Sequence, residues 1–261
     1  MNSNQTSHGS DQSIGLSIVI PAWNEAGLIG DTLDRVNHAL RESESNGLVT
    51  EIIVCDNDSR DNTAAIAHSA GAIVVSEPIR GIARARNAGA RVARGEWLLF
   101  LDAGTYPRPE LLADVRGLLH ESKMVGCGST MAASGGVWWM HLQVARINVY
   151  TLLTGMCGGA FILCRRDAFE AIGGFSDLLH ALEEVDFVIR LRSYGFSKGQ
   201  GFRILRRHPV VTSARRKCSL VTMGISFAVA ALFLWLHWLL PRRLRIRGGW
   251  GLLEYWYGPR R

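Results

Sequence analysis

The stretch Gly95-Glu96-Trp97-Leu98-Leu99-Phe100-Leu101-Asp102 decides how this chain folds. Five consecutive apolar residues after a turn, cut off by an aspartate, read as a strand buried on both faces, because a strand with one wet face would alternate apolar and polar side chains. The same grammar recurs upstream. Leu16 to Ile20 is an apolar run stopped by Pro21, and Leu28, Leu33, Val36 and Leu40 then recur at helical spacing. Ile52 to Cys55 is a second strand, closing on Asp56-Asn57-Asp58-Ser59 before an alanine-rich helix from Asp61 to Ala70. Ala72 to Val75 is a third strand, and Gly81 to Arg94 is a helix leading into the fourth strand, Trp97 to Leu101. Four strands thus alternate with three helices.

Apolar strands joined by helices predict an α/β chain with a mainly parallel sheet flanked by helices, whose right-handed crossovers bring the strands' C-terminal ends to one edge. Ligands of such sheets bind at that edge. The polar residues following the strands, Asn24 and Glu25, Asp56 to Ser59, and Asp102, are therefore expected to converge. Farther along, a helix from Pro107 to about Glu121, a short strand at Met124 to Cys127, a buried strand at Ala160 to Cys164, a helix at Asp167 to Ile172 and a helix at Glu183 to Tyr194 are expected. Gly135 to Met140 fits neither period.

Composition frames the chemistry. The 261 residues are 48% hydrophobic and 20% charged, so the chain can bury a core. A net charge of +6 points to an anionic partner, either a nucleic acid, a phospholipid surface or a phosphorylated substrate. Five cysteines (Cys55, Cys127, Cys157, Cys164 and Cys218) without a C-x-x-C pair indicate neither a zinc site nor a disulfide framework. Residues 1–14 read as a polar tail, 15–217 as the folded domain and 218–261 as an apolar helix with a basic tail.

A carboxylate at a strand end can hold a divalent cation that bridges phosphate oxygens, which makes Asp102 a candidate donor-site and metal residue; alone, it could equally cap the next segment. Asp56 and Asp58 can accept hydrogen bonds from a base or ribose, and Arg84 and Arg86 can offer bidentate contacts to phosphate, or form a solvated helix face. Ser59 and Asp61 read as helix caps. Glu183 and Glu184, adjacent at a helix start, offer a general base for attack by a hydroxyl; side chains about 100° apart leave one of the two facing the cleft. His208, before Pro209, is either a metal ligand or structural.

These motifs, in this order, resemble family 2 glycosyltransferases of the GT-A fold. The resemblance rests on Val19-Ile20-Pro21-Ala22-Trp23-Asn24-Glu25, Asp56 to Thr63, Ala85-Arg86-Asn87-Ala88-Gly89, Gly95 to Asp102, Gly173-Gly174-Phe175 with Glu183-Glu184-Val185-Asp186, and Thr212-Ser213-Ala214-Arg215-Arg216. It implies that Pro21, Trp23 and Glu25 shape a nucleotide pocket, that Asp56 contacts the base, that Asp102 reaches Mn2+ or Mg2+, and that Glu184 is the base of an inverting transfer from a nucleoside diphosphate sugar to an acceptor hydroxyl. The family's metal motif carries a second aspartate, where this chain has Gly104 in Asp102-Ala103-Gly104. Two alternatives stay open: a polyprenyl-phosphate sugar synthase, and a non-catalytic nucleotide-sugar-binding protein. Nucleic acid is not an expected partner, because the cleft is acidic.

Residues 220–240 form a run of 21 residues without formal charge, flanked by Arg215, Arg216 and Lys217 and by Arg242, Arg243, Arg245 and Arg247. Its length suits a bilayer span, its tryptophans suit an interfacial helix, and packing on the domain is the third option. Arg215 and Arg216 then touch diphosphate or acidic lipid, or simply end the soluble domain next to a membrane segment. A membrane-associated enzyme on the cytoplasmic face, with a lipid-linked or membrane-proximal acceptor, is the expectation.

Overall fold

The computed structural model describes residues 15–43, 48–136, 138–179 and 182–213. The polar tail 1–14, Arg215 and Arg216, and the apolar run 220–240 lie outside the described residues. No described helix is long and apolar enough to cross a membrane.

The chain runs β1 (Leu16–Ala22), α1 (Ile29–Glu42), β2 (Thr50–Asp56), α2 (Thr63–Ser69), β3 (Ile73–Ser76), α3 (Ile82–Val92), β4 (Trp97–Leu101), β5 (Thr105–Tyr106), α4 (Pro109–Leu119), β6 (Met124–Ser134), α5 (Trp138–Thr154), β7 (Phe161–Arg165), α6 (Arg166–Ala171), α7 (Glu183–Ser197) and β8 (Gly201–Ser213). One sheet has the order β3-β2-β1-β4-β7-β6-β8-β5. The first four strands pair in parallel, as the alternation of strands and helices requires. Strand β7 then enters antiparallel to β4, β6 antiparallel to β7, β8 parallel to β6, and β5 antiparallel to β8. The sheet is mixed and mainly parallel.

Strand β4 is buried along its whole length, as its five apolar residues demand. One face of the sheet packs on α1 and α4 through Ile18, Ile20, Leu33, Leu99 and Leu111. The other packs through Val19, Leu98, Phe100, Phe169 and Phe187. The parallel register aligns Ala22 with Asp56 and Asp56 with Ser76, so those strand ends share an edge. Because β7 runs backwards, its first residue, Phe161, pairs with Leu101 and brings Gly159 and Ala160 to the same edge.

Two expectations are corrected. The short strand at Met124 to Cys127 extends to Ser134, and in the unplaced stretch Gly135 and Gly136 turn with positive φ and α5 starts at Trp138. Strand β8 is much longer than its β-rich Val210-Val211 pair. Four of its residues, 206–209, stand opposite Thr130 alone, a bulge suited to Pro209, which has no N–H to donate to a ladder.

Candidate active site

The strand-end edge is built by side chains reaching across loops. Asn24, at φ 50°, accepts the N–H of Arg60 and donates its own backbone N–H to Ser59 Oγ at 2.9 Å. The backbone N–H of Glu25 donates to Thr63 Oγ1, and that of Ala26 donates to Asp61 Oδ2. Ser59 therefore serves as a clamp on the β1–α1 loop rather than as a cap, while Asp61, one residue before the N-cap Asn62, clamps that loop and also accepts the N–H of Thr63 on Oδ1.

Asn57 is the organiser that sequence reasoning passed over. It is buried, donates from Nδ2 to the carbonyls of Glu77 and Ile79, and accepts the Gly81 N–H at 2.8 Å, so it shapes the β3–α3 loop. Beside it, Asp58, at φ 61°, pairs with Arg80 at 3.2 Å, and the Arg80 guanidinium lies 4.3 Å from the Trp23 ring centre. Trp23, Arg80 and Asp58 thus form one layer at the mouth of the edge. Arg80 was legible only as one more arginine. Behind the layer, Asp56 points a buried Oδ1 that accepts no hydrogen bond, the one carboxylate oxygen of that kind among the described residues. Pro21 is buried in register with Cys55.

Arg86 is the centre of the site, and its role differs from the expected phosphate contact. Its side chain is only 2% exposed, its Nη2 lies 3.1 Å from Asp102 Oδ1, and its Nη1 lies 3.0 Å from Glu183 Oε1. Nη2 also reaches the Gly159 carbonyl at 3.4 Å. The guanidinium stands 5.1 Å from the Phe175 ring, which stacks on Phe187 at 4.1 Å. The next residue, Asn87, holds the Phe175 backbone from both sides, donating Nδ2 to its carbonyl and accepting its N–H. Gly174, at φ 67°, permits this approach, since a Cβ there would sit 2.7 Å from Asn87 Oδ1. Arg86-Asn87 and Gly173-Gly174-Phe175 are therefore one device, which docks the start of α7 against the end of β4. Arg84, the other expected phosphate ligand, is paired with Asp177 at 2.8 Å.

The two glutamates are not equivalent. Glu183 is buried, and burial, then the neighbouring charge of Glu184 and the hydrogen bond between the two, push its carboxyl up to about 8 against the pull of Arg86. Glu184 is half-buried beside it. A carboxylate with part of its surface open and a proton-bearing partner behind it is arranged to receive a proton.

Asp102 caps no helix, since α4 begins at Pro109 after Arg108; its carboxylate remains 40% exposed at the edge. A Cβ on Gly104 would lie 2.9 Å from Ser213 Oγ, and the Gly104 carbonyl accepts the Ser213 N–H, so the end of β8 occupies the space of a second carboxylate. His208 lies in the β8 bulge with Nδ1 2.9 Å from Asp114 of α4, the structural one of its two readings. Among the described residues no three His, Cys, Asp or Glu side chains gather around a point. This donor set fits a divalent cation carried by a diphosphate and held by one oxygen of Asp102, not one held by protein alone.

The profile of Glycosyl transferase family 2 matches residues 17–173. The chain belongs to the family 2 glycosyltransferases. An uncharacterised glycosyltransferase of Haemophilus influenzae is 28% identical over 186 residues, 67% of this chain and 61% of that protein. A dolichol-phosphate mannosyltransferase of Mycosarcoma maydis is 26% identical over 86% of this chain and 88% of that enzyme. A mannosyltransferase of Pyrobaculum calidifontis, solved with GDP-Man and Mn2+, superposes with a TM-score of 0.62 at 21% identity, over 85% of this chain and 63% of that one. Glucosyl-3-phosphoglycerate synthase of Mycobacterium tuberculosis superposes at 0.58, also at 21% identity, over 81% of this chain and 75% of that one. The chain spans about three-fifths of the Haemophilus and Pyrobaculum proteins. The shared fold is the mixed α/β, GT-A-like sheet flanked by helices.

Proposed function

We propose that this family 2 glycosyltransferase moves a sugar from a nucleoside diphosphate donor to an acceptor hydroxyl with inversion at the anomeric carbon. The observation that carries the reading is the buried Arg86 bridge, which joins Asp102 at the donor edge to the paired glutamates of α7. Asp56 offers its unsatisfied oxygen to the base or ribose, and the layer of Trp23, Arg80 and Asp58, with Pro21 and Glu25 from the same end of β1, borders the nucleotide. Glu184 takes the proton of the acceptor hydroxyl as its oxygen bonds to the anomeric carbon. The bond from that carbon to the diphosphate breaks, and its electron pair leaves on the phosphate oxygen. Asp102 would hold a Mn2+ or Mg2+ ion carried by the diphosphate, and that ion would supply positive charge to the leaving group. Glu183, locked to Arg86, orients Glu184 and keeps the pair from repelling.

The acceptor is at a membrane. The uncharged run 220–240 between basic flanks supports attachment at the cytoplasmic face, with Arg215 and Arg216 at the lipid surface. A second reading, a polyprenyl-phosphate sugar synthase, is favoured by the match along 88% of a dolichol-phosphate mannosyltransferase. A phosphate acceptor is already ionised and needs no strong base.

Calorimetry against UDP-, GDP- and dTDP-sugars, with and without Mn2+, tests donor binding. Glu184→Gln is expected to keep donor affinity and lower transfer about 10²–10⁴-fold. Undiminished transfer to hydroxyl acceptors overturns the assignment, transfer surviving only to a polyprenyl phosphate supports the second reading, and donor binding by the wild type without any transfer favours a non-catalytic binding protein.

A further inference from the structure

Helix α5 leaves a row of large apolar side chains outward. A helix on a sheet ordinarily turns its apolar side inward. Here Gln143 and Thr151 are buried, and Asn148 faces β6, its side chain donating to the Met131 carbonyl and accepting the Met131 N–H at 2.8 Å each. The opposite side carries Trp138, Leu142, Val149 and Leu153, from 52% to 81% exposed, at spacings of 4, 7 and 4 that place them on one stripe. Helix α7 extends the patch. Arg192 Nη1 holds the carbonyls of Thr154 and Gly155 at the end of α5, and about one turn before and after it on α7 stand Ile189, 51% exposed, and Phe196, 87% exposed. Single exposed apolar side chains are ordinary, but a row of them along α5, with more on the adjoining α7, marks a surface that meets something other than water.

Three observations identify the occupant as lipid. No acidic residue lies on α5, whose exposed face carries His141 and Arg146, and Trp138, Trp139 and Tyr150 are side chains that settle at headgroup depth. The last described residue, Ser213, pairs with Ser134, four residues before α5 begins. The basic Arg215-Arg216-Lys217 and then the apolar run 220–240 follow at once, so a membrane attachment there holds the start of α5 at the same surface. The far end of α5 lies five residues before Gly159, whose carbonyl meets Arg86.

We propose that α5 lies flat in the headgroup region of an anionic phospholipid bilayer with the Trp138 to Leu153 stripe immersed, so that the cleft opens onto acceptors carried in that bilayer. This rests on the reading of a membrane-proximal acceptor. The test uses the full chain carrying Cys218→Ser, with an environment-sensitive fluorophore placed through Leu153→Cys, or through Ser69→Cys at the exposed end of α2 as control; the four described cysteines are buried, so the introduced thiol labels selectively. On adding phosphatidylglycerol/phosphatidylethanolamine vesicles, the emission at 153 is expected to shift to the blue and become quenched by brominated lipid, while that at 69 stays unchanged. A label at 153 indifferent to vesicles overturns the proposal. So does one already shielded from aqueous iodide without lipid, which would mean that the chain's own apolar run or a second copy covers the stripe. Donor calorimetry on the same labelled protein separates the two readings: retained donor binding with an unresponsive 153 overturns the helix assignment alone, while a responsive 153 without donor binding supports it and counts against the transferase.

Discussion

Arg86→Met removes the guanidinium that joins Asp102 to Glu183 while keeping most of the side-chain volume. Its cost follows from what stays behind. Asp102 is 40% exposed and recovers solvation, but Glu183 is buried and loses its cation. Stranding a buried charge costs about 3–5 kcal/mol unless the group takes a proton. Glu183 can do so, because burial already holds it up at about 8, above its ordinary 4.5. A raised carboxyl binds more protons in the folded state than in the unfolded one, so wild-type stability falls as pH rises from about 4.5 to about 8. Without Arg86 the folded value lies higher still, and the fall continues beyond pH 8. At pH 6.5 the variant therefore loses chiefly hydrogen bonds to a neutral carboxyl, about 2 kcal/mol. Each further pH unit above 8 adds up to about 1.4 kcal/mol, taking the loss to about 3–5 kcal/mol near pH 9 to 10. For a domain of this size that is a drop in Tm of roughly 4–8 °C at pH 6.5, and more in alkali. Urea unfolding followed by circular dichroism at the two pH values measures it. A loss below about 1 kcal/mol at both, or a difference that does not grow with pH, refutes the bridge as the element that holds α7 to β4.

Asp56→Asn is expected to weaken donor binding about tenfold or more while leaving the thermal midpoint unchanged or raised, since it alters a buried oxygen that has no partner among the described residues; calorimetry and thermal unfolding read the two effects. Gly104→Asp is expected to cost about 1–3 kcal/mol without tightening Mn2+ binding, because Ser213 Oγ fills the space where its Cβ must go, and a gain in Mn2+ affinity would show that β8 yields. Asn57→Ala is expected to lose about 1–3 kcal/mol and weaken donor binding together, because three backbone groups of the β3–α3 loop lose their partner; urea unfolding and donor titration check it.

Sequence by itself determined the parallel half of the molecule. A run such as Trp97 to Leu101 has no polar face to give to water, and alternation with helices leaves right-handed parallel crossovers as the packing solution, so the meeting of Asp56 and Asp102 at one edge follows from chain order. The motif order was legible for the same local reason, and with it the family. Tertiary structure alone decided what those side chains do. Arg84 and Arg86 lie two apart on one helix and look interchangeable in sequence, yet one is paired at the surface with Asp177 and the other is buried between Asp102 and Glu183, 16 and 97 residues away. The long-range pairings of β7, β6 and β8 were equally hidden, since an apolar strand carries no mark of its neighbour's direction. The α5 stripe escaped because apolar residues lie all round that helix, so its sequence does not announce which side the sheet will take. Only the fold, by burying Gln143 and Thr151 and tying Asn148 to β6, left the Trp138 to Leu153 stripe outward.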